Sequence, residues 1–189
     1  MRNHDPNDNE PPFDNHEFEL AKSQQSKAGK WMFLLAWVAF LLLATLWFDD
    51  LLIKKINPNT QPESYVTAQG VEVRLKQNSM GHYVTTGTIN GRSVVFLLDT
   101  GATNVSIPAH LGEHLSLRPG RRVPVSTANG SIVVRTTSID TLSVGDLALQ
   151  NVSGHLNPGL QGNEILLGMS ALKNLEMIQR DGWLILRSY

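Results

Sequence analysis

Cysteine is absent from the sequence. That excludes disulfides and thiol catalysis, and it suits an oxidising compartment without requiring one. An excess of charge of either sign is missing too. Lys and Arg total 16, Asp and Glu 17, and the formal net charge is −1, so no basic balance points to nucleic acid. Internal repeats are lacking, so no motif occurs twice. Helix signals are few, with short pieces near Ala109 to Leu115 and Ser170 to Leu175. With 189 residues there is room for one ordinary domain plus extras.

One long apolar run is present. Trp31 to Phe48, WMFLLAWVAFLLLATLWF, contains no charged residue. As a helix it would span roughly 27 Å, close to the hydrocarbon thickness of a bilayer. Trp31 and Trp47 lie near its ends, where amphipathic rings favour the interface. A buried core helix would need other helices to cover it, and the sequence offers none. A cleaved signal peptide would have a shorter apolar region followed by small residues, whereas Asp49 and Asp50 follow here. The run reads as an uncleaved transmembrane anchor at 31–48. Lys22, Lys27 and Lys30 precede it, and Lys54 and Lys55 follow. This slight bias places the N-terminus inside and the rest of the chain outside the cytoplasm.

Around the anchor, composition sets the expected boundaries. Residues 1–30 are polar and read as a disordered tail. Residues 49–70 read as a linker, because Asn57 to Ser64 holds two prolines and no apolar residue. From Val71 to Tyr189 short β-rich runs alternate with turn signals. Val71 to Leu75, His82 to Ile89 and Val94 to Leu98 come first, with Asn90-Gly91 as a type I′ hairpin turn. Val123 to Thr127 and Ile132 to Ile139 bracket Asn129-Gly130. Leu142 to Val144 and Leu147 to Val152 bracket Gly145-Asp146. Met177-Ile178 and Trp183 to Leu186 bracket Asp181-Gly182. Asp140, Asp146 and Asp181 read as turn residues, and His155 as a loop histidine. The expected class is all-β, a barrel-like domain.

Two patterns in this domain carry chemistry. In the first, the apolar strand Val94 to Leu98 delivers Asp99 to a turn. Gly101 permits a tight backbone that brings an N–H near the carboxylate, and the Thr100 hydroxyl can rigidify the loop. This holds one carboxylate still. Peptide hydrolysis by carboxylates needs two that share a proton, one as base and one as acid. With a single such loop, the second Asp99 must come from a second chain. The chemistry therefore predicts a symmetric homodimer with the site on its two-fold axis, which membrane confinement would favour.

The second pattern, His110-Leu111-Gly112-Glu113-His114, fits H-x-x-E-H, an inverted zinc-peptidase motif. Gly112 weakens the required helix, and Pro108 and Pro119-Gly120 limit it to two or three turns. No acidic cluster clearly offers a third ligand. We therefore read a solvated surface helix with two histidines and expect no metal there.

Val71 to Tyr189 resembles the retroviral-type (retropepsin-like) aspartic peptidases, and most of all the single-domain bacterial members with an N-terminal membrane anchor. Gly81-His82-Tyr83 opens the strand before the Asn90-Gly91 hairpin. Phe96-Leu97-Leu98-Asp99-Thr100-Gly101-Ala102-Thr103 is similar to the catalytic loop. Thr127-Ala128-Asn129-Gly130 sits where the family has its flap. Ile165-Leu166-Leu167-Gly168-Met169-Ser170-Ala171-Leu172 resembles the apolar-apolar-Gly segment and its short helix. Asp-Thr-Gly alone is weakly specific; the four elements in this order are strongly so.

The resemblance implies a one-lobed acid-protease barrel with a closed flap hairpin and a short helix after Leu-Leu-Gly. It implies a catalytic Asp99 and an active-site loop of Thr100, Gly101 and Ala102, in which Thr100 clasps the partner's loop and Gly101 contacts substrate backbone. Thr127, Ala128, Asn129 and Gly130 would belong to the flap. No cofactor is implied. Thr103 and Met169 stand where viral enzymes carry a pairing Asp and Arg, which implies a different dimer contact. The expected activity is an endopeptidase in the inner membrane with a periplasmic catalytic domain, cutting extended, largely apolar protein segments. A peptide-binding or dimerisation module of the same fold is the alternative, and only a catalyst requires Asp99.

Overall fold

The computed structural model describes residues 15–68, 70–127 and 130–188. The chain forms two compact units, Met1–Asp49 and Asp50–Tyr189. Helix α1 covers Asn15–Ile56. Within it, Lys30–Ile56 is long and apolar enough to cross a membrane. Its apolar side chains from Trp31 to Phe48 are exposed apart from the half-buried Ala44. Trp37 makes edge contacts with Phe33 and Phe40, at ring separations of 6.4 and 5.7 Å, as the i,i+4 and i,i+3 spacings allow.

The helix extends beyond the expected anchor at both ends. Residues 15–30 are helical rather than a disordered tail, and residues 1–14 lie outside the described residues. No proline occurs between Pro12 and Pro58, and the intervening Glu, Lys, Gln and Ala are good helix formers.

The expected linker is likewise folded in part. Asn57 and Asn59 are 6% and 4% exposed. Asn59 Nδ2 donates to the carbonyls of Val84 (2.7 Å) and Lys76 (2.9 Å), and its Oδ1 accepts from the Lys76 N–H (2.6 Å). Asn57 Oδ1 accepts from the Asn59 N–H at 3.0 Å, and Asn57 Nδ2 donates to Thr86 Oγ1 at 3.1 Å. Asn78 Nδ2 donates to the Ile56 carbonyl, 2.9 Å away. Strand β1, Glu63–Thr67, follows inside the same stretch and pairs with β2, Gly70–Lys76.

Nine further strands follow. They are β3 Val84–Ile89, β4 Arg92–Leu98, β5 Val105–Pro108, β6 Arg122–Thr127, β7 Gly130–Val144, β8 Leu147–Asn157, β9 Glu164–Leu167, β10 Glu176–Arg180 and β11 Trp183–Ser188. One sheet has the order β3-β4-β9-β5-β8-β7-β6, and an extra β3–β7 pairing closes six of its strands into a barrel. Gly87 permits the closure, since a Cβ there would collide with the Ser143 carbonyl and lie 2.7 Å from the Phe96 ring. Phe96, Ile107, Leu115, Ile139, Ile165 and Leu172 are fully buried in the core.

The Asn90-Gly91 hairpin has the expected positive φ at both turn residues, and Asp181-Gly182 has positive φ at both as well. Asp140 is not a turn residue. It lies exposed within β7, which runs unbroken through two expected strands; pairing with β8 overrides its local turn preference. The expected helix near Ala109 to Leu115 is a 3-10 turn, Ala109–Leu111, followed by turns. The later one is α2, Met169–Leu172.

The second sheet has the order β1-β2-β11-β10. Register places Glu72, Arg187 and Glu176 side by side across three strands. Arg187 bridges Glu72 and Glu176 at 2.9 Å each, and Arg74 Nε lies 2.7 Å from Glu72. The guanidinium hydrogen bonds, from Arg187 first and then Arg74, hold the Glu72 carboxyl below its ordinary range.

Candidate active site

The centre of the site is Asp99, placed by the pairing of β4 with β9. These strands run parallel, and the Asp99 N–H continues the ladder to the Leu167 carbonyl at 3.1 Å. One residue earlier the Leu98 N–H donates to the Tyr83 carbonyl at 3.0 Å. Beyond Asp99 the chain turns sharply, and the Ala102 N–H returns to the Asp99 carbonyl at 3.2 Å. This brings the Gly101 N–H to the Asp99 carboxylate, 2.9 Å from Oδ1. Such a donor fixes the carboxylate's orientation. Thr100 and Gly101 are exposed and Asp99 half-buried.

The segment after β9 holds this loop from behind. The Met169 and Ser170 N–H groups donate to the carbonyls of Ala102 (2.8 Å) and Thr103 (2.9 Å). Ser170 Oγ accepts from the Val105 N–H at 3.0 Å and donates to the Ser153 carbonyl at 2.7 Å. Gly168 makes the approach possible. A Cβ there would strike the Asn104 carbonyl and lie 2.6 Å from that of Ala102. The two sequence segments singled out, Asp99-Thr100-Gly101 and Leu166-Leu167-Gly168, are therefore one structure.

A cavity of about 700 Å³ opens beside Asp99. The hairpin of β6 and β7 contributes Thr127 and Gly130 to its lining, joined by a 2.8 Å hydrogen bond from Thr127 Oγ1 to the Gly130 carbonyl. Ala128 and Asn129 lie outside the described residues. Val125, Ile132, Val134, Leu160 and Leu166 give the cavity an apolar wall.

The lining also has a polar part, unlike the apolar groove expected. Asn104, Ser106, His155 and Asn157 also line it. His155 lies on β8, not in a loop, and partial burial pulls its imidazole below the ordinary value. The polar-apolar alternation of Asn104-Val105-Ser106-Ile107 and of His155-Leu156-Asn157 was the signal for these residues, as a strand with one core face requires.

The histidines of the second pattern, His110 and His114, are not brought together on a helix. His110 Nε2 lies 3.2 Å from Asn163 Oδ1, and His114 is exposed in the turns that follow. Among the described residues no cluster of three or more His, Asp or Glu could hold a metal ion.

Residues 85–174 match the family model "gag-polyprotein putative aspartyl protease". The "Uncharacterized protein in cobV 5'region" of Sinorhizobium sp is 33% identical over 111 residues, covering 57% of this chain and 48% of that protein. The chain thus spans about half the length of the curated relative it matches. Among solved structures, the crystal structure of a retropepsin-like aspartic protease from Rickettsia conorii is similar with a TM-score of 0.54. Identity there is 24%, and the match covers 68% of this chain and 96% of that one.

Proposed function

We propose that this chain, whose residues 85–174 match an aspartyl-protease family model and whose fold is similar to that of a retropepsin-like protease, is an aspartic endopeptidase anchored in a membrane by α1. Retropepsin-like proteases act as dimers on peptide substrates. Here one Asp99 from each of two chains would flank a water molecule. One carboxylate takes the water's proton as it attacks the peptide carbonyl. The other, protonated, donates to the carbonyl oxygen, and a proton then passes to the leaving amine. The exposed Thr100 and Gly101 would face the partner loop and the substrate, with Ala102 beneath them. The hairpin from Thr127 through Ala128 and Asn129 to Gly130 would cover an extended peptide.

One observation carries this reading. A carboxylate oriented by a main-chain N–H at 2.9 Å stands in a cavity that the hairpin also lines. The lysine distribution around the span supports a single pass, with the N-terminus inside and the catalytic unit on the periplasmic side of an inner membrane. The test incubates the full chain in detergent with a diverse peptide mixture, beside its Asp99→Asn variant. Cleavage by the wild type alone is expected. Equal cleavage by both would refute the mechanism, and zinc-restorable loss on chelation would point back to His110 and His114.

A further inference from the structure

The polar side of the cavity is built rather than incidental. β5 and β8 run parallel, with Ser106 opposite His155 and Pro108 opposite Asn157. Side chains alternate along each strand. Val105, Ile107, Gly154 and Leu156 turn into the core and are buried. Asn104, Ser106, His155 and Asn157 take the other face and line the cavity.

These four residues are linked in two cross-strand pairs. Asn104 Nδ2 lies 3.5 Å from His155 Nε2. Asn157 Nδ2 donates to Ser106 Oγ at 3.2 Å, while Asn157 Oδ1 accepts from the Gly159 N–H at 2.8 Å. Asn157 is thereby committed within the protein. The others keep capacity toward the cavity: the Ser106 hydroxyl still has its proton to give, and Asn104 Oδ1 can accept. With Nε2 accepting from Asn104, the His155 proton sits on Nδ1 as a further donor. Donors and acceptors are thus both on offer, with no Lys or Arg among the described residues of the lining. A carboxylate would find no counter-charge there, and an aliphatic group would leave these groups dry and unpaired. A carboxamide or hydroxyl matches both.

We propose that Asn104, Ser106 and His155, braced by Asn157, form a polar subsite that selects an uncharged hydrogen-bonding side chain of the peptide substrate beside the scissile bond. The proposal deepens the peptidase reading, and its test is arranged to stand apart from cleavage. Peptides matched except for Asn, Ser, Leu or Asp at each position in turn are titrated by fluorescence anisotropy against full-length Asp99→Asn protein in detergent. At one position, Asn or Ser should bind about tenfold more tightly than Leu, as two net hydrogen bonds would give, and Asp no better than Leu. Asn104→Leu and the milder Ser106→Ala and His155→Gln should each shrink that preference, with Asn104→Leu tending towards Leu. In wild-type protein the same position should show the same bias in kcat/KM.

Failure of the peptidase reading would appear as polar-selective binding without any cleavage. The subsite itself is overturned if no position favours an amide or hydroxyl, if the peptides do not bind, or if the preference survives in all three variants.

Discussion

Asparagine is used in two ways in this molecule. Asn57, Asn59 and Asn78, near the end of α1, are almost fully buried, and their side chains bond to the protein's own backbone and to Thr86. Asn104, beside Asp99, is half-buried and faces a cavity with an acceptor to spare. The residue type is the same, but the first group is saturated and the second is not. A saturated polar group holds a fold together; an unsaturated one at a cavity is available to something that enters it. Substitutions in the first group should change stability and leave chemistry alone, and those around Asp99 should do the reverse.

The largest effect expected is on chemistry. Asp99→Asn should lower peptide cleavage by at least about 10³-fold, as loss of an acid–base group does, with an unchanged thermal midpoint. A midpoint that falls with activity would blur the contrast. Next is Asn59→Ala, which strands backbone groups of Lys76 and Val84. It should cost roughly 3 kcal/mol in denaturant titration while the folded fraction keeps its kcat. Gly168→Ala tests the join between the two, since its methyl must displace the carbonyls that hold the Asp99 loop. It should cost about 1–3 kcal/mol and also reduce kcat.

Two smaller effects concern groups outside both sets. Glu72 has a depressed folded-state pKa. Its stabilisation is full above its ordinary value of 4.5 and is lost as pH falls through the lower folded value. Glu72→Gln should therefore flatten the acid limb of a stability–pH curve and lower the neutral plateau. A curve parallel to wild type would show that the arginines contribute nothing. Tyr83 reverses the asparagine pattern: its hydroxyl is buried with no partner among the described residues. Tyr83→Phe should raise stability by about 1 kcal/mol, readable as a higher midpoint.

Much of this was legible in the sequence because it is local. Asn90-Gly91 and Asp181-Gly182 specify their turns by backbone preference alone. The Asp99 loop and Leu166-Leu167-Gly168 are short enough to recognise as motifs. What escaped depends on distant partners. Asn57-Pro58-Asn59-Thr60 has a linker's composition, and only β2 and β3 turn its asparagines into a buried network. Asp140 resembles a turn residue until β8 pairs with β7 on both sides of it, Ile139 with Val152 and Thr141 with Gln150. β5 has four residues and ends in proline, so its strand character comes from β8 and β9. His155 reads as a loop residue because Gly154 and Pro158 near it resemble breakers, although Gly154 packs against Ile107.

The second sheet also has a consequence in time. β2 reaches its partner β11 only across a long stretch of chain; Glu72 and Arg187 are 115 residues apart. Closing so large a loop is entropically slow, and pairings of this kind place a domain among the slower folders. Until β11 has been synthesised and docked, one edge of β2 carries unpaired backbone groups beside apolar Val73 and Leu75. Such an edge is a template for pairing with another chain. The interval before docking is when the newly made protein is most prone to aggregate, and shielding β2 during synthesis should raise the yield of folded chain.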